Sequence, residues 1–351
     1  MPKKLKFGEP DSQDRPRLDK NEVELIKAVR EEFSVLDSEC KAAGLDSSSV
    51  KHFWYKSKLI SAFLKNKTKS IEDLKNGFLK DMDKHSPKYP TIKRKASKDK
   101  HCLVIDPCDI HIGKLSSEME TGDKYNNSIA IKRVHEGVDG LLNKAQYFGL
   151  DKIVLIIGND ILHTDNTKRT TTSGTPQDTD GMWHDNFSLA LKLYVDIIEK
   201  LTAVADVHII HNPSNHDFMA GWYLAETLKC WFRQAKNVTF DSDMRHRKYF
   251  IYGDNLIGST HGDGAKNGDL PQLMAIECKN WSKSVHRYFY THHIHHKVAK
   301  DMIGVTIESS RSASGTDAWH DRNGYKGVPK AIEAYLHHPT QGQIARFTHI
   351  F

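Results

Sequence analysis

Five times between Leu103 and His296 a short apolar run breaks into a loop of Asp, Asn or His. Leu103-Val104-Ile105 leads to Asp109-Ile110-His111, and Lys152 to Ile157 leads to Gly158-Asn159-Asp160-Ile161-Leu162-His163. Val207 to Ile210 leads to Asn212-Pro213-Ser214-Asn215-His216-Asp217. Leu256 to Thr260 ends in His261-Gly262-Asp263, and Arg287 to Tyr290 in Thr291-His292-His293-Ile294-His295-His296. Apolar runs this short, bounded by polar loops, read as buried strands. In layered α/β proteins ligands collect at the carboxyl ends of strands. An Asp and a His two residues apart on extended chain also aim the same way. One metal cluster accounts for all five loops together.

The order of these motifs resembles that of the calcineurin-like metallophosphoesterases, which runs Asp-x-His, Gly-Asp-x-x-Asp/His, Gly-Asn-His-Asp/Glu, His and Gly-His-x-His. The resemblance spans residues 102–300 and does not touch residues 1–100. It implies an α/β fold in which two sheets pack together with helices outside and metals at one edge. It further implies one ion held by Asp109, His111, Asp160 and His295, and a second held by Asp160, Asn215, His261 and His293. Asp160 bridges them. His216 then sits over the phosphoryl group as an acid or charge stabiliser, with Asp217 orienting it. Many members of the family have aspartate where His163 stands, whereas its DNA repair and recombination nucleases have histidine. Three positions depart from the pattern: Asn159 lies between the glycine and the aspartate, and Ser214 and His292 each replace a glycine.

Imidazole and carboxylate donors suit borderline divalent ions, manganese first, with zinc, iron and magnesium as alternatives. The five cysteines (Cys40, Cys102, Cys108, Cys230, Cys278) form no Cys-x-x-Cys pair. Neither a disulfide framework nor a zinc ribbon is therefore expected, and a reducing, cytoplasmic setting fits best. No run of about 18 apolar residues exists for a membrane helix. The basic start, Met1 to Lys6, lacks the apolar stretch of a secretory signal.

Charge is unevenly placed. Residues 1–100 hold 24 Lys and Arg against 16 Asp and Glu, and within them residues 51–100 hold 15 against 5. By contrast, 19 of the 21 histidines lie at or beyond His101, so the polyanion signal and the ligand signal occupy different parts of the chain. Residues 1–18 read as a flexible start and 86–100 as a basic linker before a catalytic domain over 101–351. Residues 19–85 read as a basic helical domain. Around Cys40, Gly44, Leu45, Val50 and Phe53 it resembles a helix-turn-helix, with Gly44 at the sharp turn. Lys51, His52, Lys56 and Lys58 would then face nucleic-acid phosphates. A plain helical hairpin for homo-oligomer or partner-protein packing uses the same pattern.

Two loops are candidates for substrate contact. Thr164 to Asp180 carries Lys168 and Arg169 and looks flexible. Ser309 to Tyr325 carries Arg311 as a phosphate partner and Trp319, His320 and Tyr325 as stacking faces. These features together point to a two-metal phosphodiesterase acting on nucleic acid, with DNA as the expected partner. A phosphatase or nucleotide phosphodiesterase for small substrates uses the same metals. A nucleic-acid-binding scaffold with an inactive metal site is the third reading.

Overall fold

A computed structural model describes residues 40–42, 52–56, 61–65, 87–90, 92, 94 and 99–351. The chain divides into two units, Met1–Ser86 and Pro87–Phe351. In the first unit, residues 40–42 are helical, and β1 (His52–Lys56) pairs antiparallel with β2 (Ser61–Lys65), His52 opposite Lys65. This corrects the expected second helix of a helix-turn-helix, because His52, Phe53 and Lys56 lie on a strand. The run Phe53-Trp54-Tyr55 explains the difference, since consecutive aromatics favour a strand over a helix. Lys51, Lys58 and Gly44 lie outside the described residues, as do residues 19–39.

The second unit carries two sheets. The first has six strands in the order β13-β12-β3-β4-β5-β6. They are β3 (His101–Asp106), β4 (Leu150–Gly158), β5 (Asp206–Asn212), β6 (Val238–Asp241), β12 (Ala331–His338) and β13 (Gly342–Ile350). The second has five, in the order β10-β11-β9-β8-β7. They are β7 (Lys248–Tyr252), β8 (Asn255–Ser259), β9 (His286–Thr291), β10 (Val298–Met302) and β11 (Val305–Ser309). Strands β3 to β6 are mutually parallel, as are β8, β9 and β11. Parallel neighbours place their carboxyl ends on one edge, which brings the ligand loops together.

Alternation along the strands explains the layering. In β3, Leu103 and Ile105 face one core, while Cys102 and Val104 face another; in β4, Ile153, Leu155 and Ile157 alternate with Val154 and Ile156 in the same way. The first core is closed by α2 (Asn127–Ala145), α3 (Trp183–Val204) and α4 (Phe218–Trp231), each a crossover between parallel strands. Helix α2 follows a four-residue helix, α1 (Glu118–Thr121). It buries Ala130, Val134, Val138, Leu141 and Ala145, one stripe at helical spacing. Asn126 caps it by accepting the Ile129 N–H at 3.0 Å. The second core lies between the sheets and includes Ile257, Tyr290 and Tyr335, whose last two rings stack at 3.8 Å. A third packs α5 (Leu270–Glu277) on the outer face of the five-stranded sheet through Leu270, Met274, Leu256 and Phe289. Truncating a fully buried side chain such as Leu103 to Ala costs about 2–5 kcal/mol.

The stretch expected as a linker is tied to this unit where it is described. Tyr89 stacks on Phe232 at 5.0 Å and bonds Glu199 at 2.8 Å, and Arg94 pairs with Asp206 at 2.6 Å. No described helix is long and apolar enough to cross a membrane.

Candidate metal centre

The exits of β3 and β4 are knitted together before any side chain is considered. Asp109 N donates to Asn159 O at 2.8 Å, His111 N to Asp160 O at 2.9 Å, and His163 N to Ile112 O at 2.9 Å. Gly158 is required here, with φ at 83° and an added Cβ 2.1 Å from the Asn212 carbonyl oxygen. The two sheets are joined beside it, where Ser259 Oγ donates to Asn212 Oδ1 at 2.8 Å and Asn212 Nδ2 to Ser259 O at 3.1 Å.

The loops turn through backbone that side chains rarely adopt. Among the described residues, the non-glycine positions with positive φ are Asp109 (49°), His111 (51°), Asn159 (55°), Asp160 (59°), Arg169 (57°), His293 (71°) and His295 (59°). All but Arg169 lie in the ligand loops. At His293 the chain makes a γ-turn, with Ile294 N donating to His292 O at 2.8 Å. Such conformations cost on the order of 1–3 kcal/mol each and persist where surrounding structure enforces them.

This backbone brings two groups of ligand atoms together. Asp109, His111 and His295 form one, and Asp160, His261 and His293 form the other, with ligand atoms within 4.8 Å in each. Asp160 Oδ2 lies 3.9 Å from His111 Nε2 and 3.4 Å from His261 Nε2, so it stands between the groups. His295 Nε2 lies 3.4 Å from Asp109 Oδ1, and Asn215 Oδ1 lies 2.9 Å from His261 Nε2. Asp109 and Asp160 are buried, yet both carboxyls are held below their ordinary range. Burial, the largest single influence, would raise them; His295 and His261 together outweigh it at Asp109, and His261 and His216 at Asp160. Asp160 and Asp109 likewise outweigh burial at His261, raising its imidazole to about 9.

The residues fit a divalent ion. Asp109 Oδ1 and His111 Nε2 are buried without a hydrogen-bond partner, and two buried carboxylates need positive charge nearby. Tautomers agree. His163 Nδ1 lies 3.2 Å from His111 Nδ1, so one proton serves both; placed on His111, it leaves His111 Nε2 bare as a ligand. Cys108 is not a competing donor, because burial pushes its thiol well above the ordinary value.

His216 is half-buried. Its backbone N–H donates to Asp160 Oδ1 at 3.0 Å, and its ring Nδ1 lies 3.0 Å from the His163 carbonyl oxygen. Its ring stacks on His163 at 5.3 Å. That arrangement corrects the expected role of Asp217. The Asp217 carboxylate accepts from Ser214 Oγ at 2.5 Å and Leu162 N at 2.9 Å, so the His163 carbonyl orients His216 instead. Ser214 Oγ in turn accepts the Asp160 N–H at 2.9 Å, which gives the serine a use that glycine could not serve. His292, also in a glycine's place, spans Thr260 O at 2.9 Å and Asp106 Oδ2 at 2.7 Å. It pins the β9 exit to the β3 and β8 exits.

The substrate loops differ from expectation in two respects. The Thr164–Asp180 loop is anchored, because Asp165 Oδ1 accepts from Met219 N at 2.9 Å and Ala220 N at 2.7 Å while Thr172 N reaches Asn215 O at 3.1 Å. Lys168 and Arg169 are exposed on it. Arg311 is committed elsewhere: its guanidinium bonds the buried Glu333 at 2.6 Å, and Arg346 binds the same carboxylate. A buried carboxylate holds a cation strongly, so Arg311 is structural. Trp319 and His320 lie on α6 (Ala318–Arg322), with Tyr325 just beyond it. His320 stacks on His295 at 5.0 Å and 12°.

Lys114 and Asp317 form a further ion pair that no motif in the sequence marks. Lys114 is 1% exposed and its Nζ lies 2.9 Å from Asp317 Oδ2. Asp317 also caps α6, accepting from His320 N at 2.8 Å and contacting His320 Nδ1 at 2.7 Å. The Asp before a short helical run was the available signal.

No protein-family model and no curated protein matches the chain. Among solved structures it is similar to a novel archaeal phosphodiesterase, 8% identical over 72% of this chain and 99% of that one, at a TM-score of 0.34. It is similar to a predicted phosphoesterase of Streptococcus pneumoniae TIGR4, 11% identical over 72% and 98%, at 0.30. A zinc-complexed Vps29 of Entamoeba histolytica is 11% identical over 71% and 98%, at 0.29. At likenesses this low, functional meaning rests on the side chains themselves.

Proposed function

We propose that this chain is a metal-dependent phosphodiesterase of the calcineurin-like kind that cleaves nucleic acid, DNA first. The observation that supports it is the pair of ligand groups, Asp109/His111/His295 and Asp160/His261/His293, with Asp160 between them and Asn215 against His261. In this reading each group would hold one divalent ion, manganese first, with Asp160 available to both. Bound there, two ions supply charge neutralisation at the phosphoryl oxygens and an activated water.

The chain's own part follows from the hydrogen bonds. Nδ1–H of His216 donates to the His163 carbonyl, so Nε2 is free to face the substrate; in the imidazolium form the ring would give its second proton, from Nε2, to the leaving oxygen as the P–O bond breaks, ending as the neutral Nδ1–H ring. The His216 N–H bond to Asp160 fixes that imidazole relative to the ligand set. His163 sets the tautomer of His111 and orients His216 through its carbonyl. Residues 51–100, with 15 basic and 5 acidic groups, supply the electrostatic attraction for a polyanion.

A panel tests the reading: a phosphomonoester, a phosphodiester, single-stranded DNA and duplex DNA, each with manganese and with chelator. Metal-dependent cleavage of the diester and of DNA is expected, with binding that weakens steeply as salt rises. Cleavage of the monoester alone would replace this reading with a phosphatase, and DNA binding without any cleavage would replace it with an inactive scaffold.

A further inference from the structure

We infer that Trp319 and Tyr325 form a stacking platform for an unpaired nucleobase of the diester substrate, set beside the candidate metal centre by the His320–His295 stack. The inference rests on the phosphodiesterase reading and names the part of the substrate that reading leaves open. The two rings stack on each other at 5.6 Å and 23°, yet Trp319 is 62% exposed and Tyr325 58%. Rings this open close no core.

The segment is nonetheless held. Asp317 caps the helix and pairs with buried Lys114, Tyr325 N donates to His320 O at 2.9 Å, and Asn323 Nδ2 donates to Trp319 O at 2.8 Å. A fixed aromatic surface loses little conformational freedom when a flat ligand settles on it. Two successive ring contacts lead from the ligand His295 outward, to His320 at 5.0 Å and from His320 to Trp319 at 5.1 Å. A base attached to the scissile phosphate's own nucleotide, or to the next one, has that reach. The same segment carries exposed Arg322, between the two aromatics in sequence, and exposed Lys326, which pairs with Asp321, so it offers positive charge for an aromatic ligand carrying negative charge. Paired bases in a duplex present no free face, so the platform selects single strands and ends.

The test uses the full chain. Binding of fluorescein-labelled oligo(dT), oligo(U) and a DNA duplex is measured in chelator, which separates binding from cleavage. Trp319→Ala should weaken oligonucleotide binding roughly 5- to 100-fold, the span of one lost base stack, with less effect on the duplex. Trp319→Phe should recover most of the loss, and Tyr325→Leu should act in the same direction. The oligo(dT) and oligo(U) arms distinguish DNA from RNA as the source of the base. With manganese, the kcat/KM ratio of thymidine 5′-(p-nitrophenyl) phosphate over methyl p-nitrophenyl phosphate should fall by a similar factor in Trp319→Ala. Unchanged single-strand binding in Trp319→Ala, or equal loss on single strand and duplex, overturns the platform. Loss of single-strand binding in a protein that cleaves neither ester keeps the platform and overturns the phosphodiesterase reading.

Discussion

Removing Asp317 should destabilise the protein far more than removing Lys114, although the two form one ion pair. Lys114 is 1% exposed, and burial outweighs the pair, so its ammonium is held below its ordinary value. Asp317 is partly exposed, and His320 and Lys114 outweigh burial to hold its carboxyl well below the usual range. The lysine side chain is 1% exposed and that of Asp317 19%, so the cost of burial falls mainly on the lysine. Asp317→Ala leaves that ammonium buried and unpaired, which costs about 3–5 kcal/mol, and deletes a helix cap worth about 1 kcal/mol. Lys114→Met removes the buried charge at similar volume and leaves Asp317 with His320, for a cost of about 1 kcal/mol. The double variant should sit near 2 kcal/mol, more stable than Asp317→Ala alone. Thermal melts in chelator read this at about 2–4 °C per kcal/mol. Asp317→Ala should melt roughly 8–24 °C below the parent, with several degrees regained on adding Lys114→Met. A double variant less stable than Asp317→Ala would show that the lysine is not the strained partner, and the reasoning would fail.

Three shorter predictions concern the centre and the sheets. His216→Ala should keep its ions, by elemental analysis, and lose roughly 10²- to 10⁴-fold in rate; loss of metal content would assign His216 to the ligands instead. His163→Leu should weaken manganese binding about 10- to 100-fold in calorimetric titration while His163→Asp, which keeps an acceptor for His111 Nδ1, retains it; equal affinity in both variants would sink the tautomer argument. His337 is fully buried against Tyr290, and burial lowers its imidazole to about 3. The unfolded chain protonates it near 6.5, so the folded state gains from the neutral ring above that pH and loses about 2 kcal/mol by pH 5. His337→Gln should flatten the fall in melting temperature between pH 7 and 5, and an unchanged slope would refute the assignment.

The strands that carry the candidate centre were legible because each ligand loop directly follows a short apolar run. Parallel pairing of β3 with β4, β4 with β5, and β8 with β9 then gathers the loops. The partners behind the ligands were not legible, because they are pairings across long stretches of chain. Asp106 meets His292, Ser312 Oγ meets the Asp109 carbonyl at 2.7 Å, and Lys114 meets Asp317. No periodicity records such contacts. Left-handed backbone at Asp109, His111, Asp160, His293 and His295 was equally hidden, since sequence marks that conformation mainly through glycine and asparagine. Arg311 misled because a charge in a polar loop looks free until Glu333 is found opposite it. Phe53 misled because its spacing fits a helix while its neighbours Trp54 and Tyr55 favour a strand.

Metal stoichiometry tests the central claim most directly. Wild-type protein saturated with manganese and freed of excess should carry two ions per chain by elemental analysis, and Asp160→Asn should carry at most one, bound weakly, with no diester cleavage. Wild type that never exceeds one ion, or an Asp160→Asn variant that loads two and remains active, would contradict a centre built on a shared Asp160.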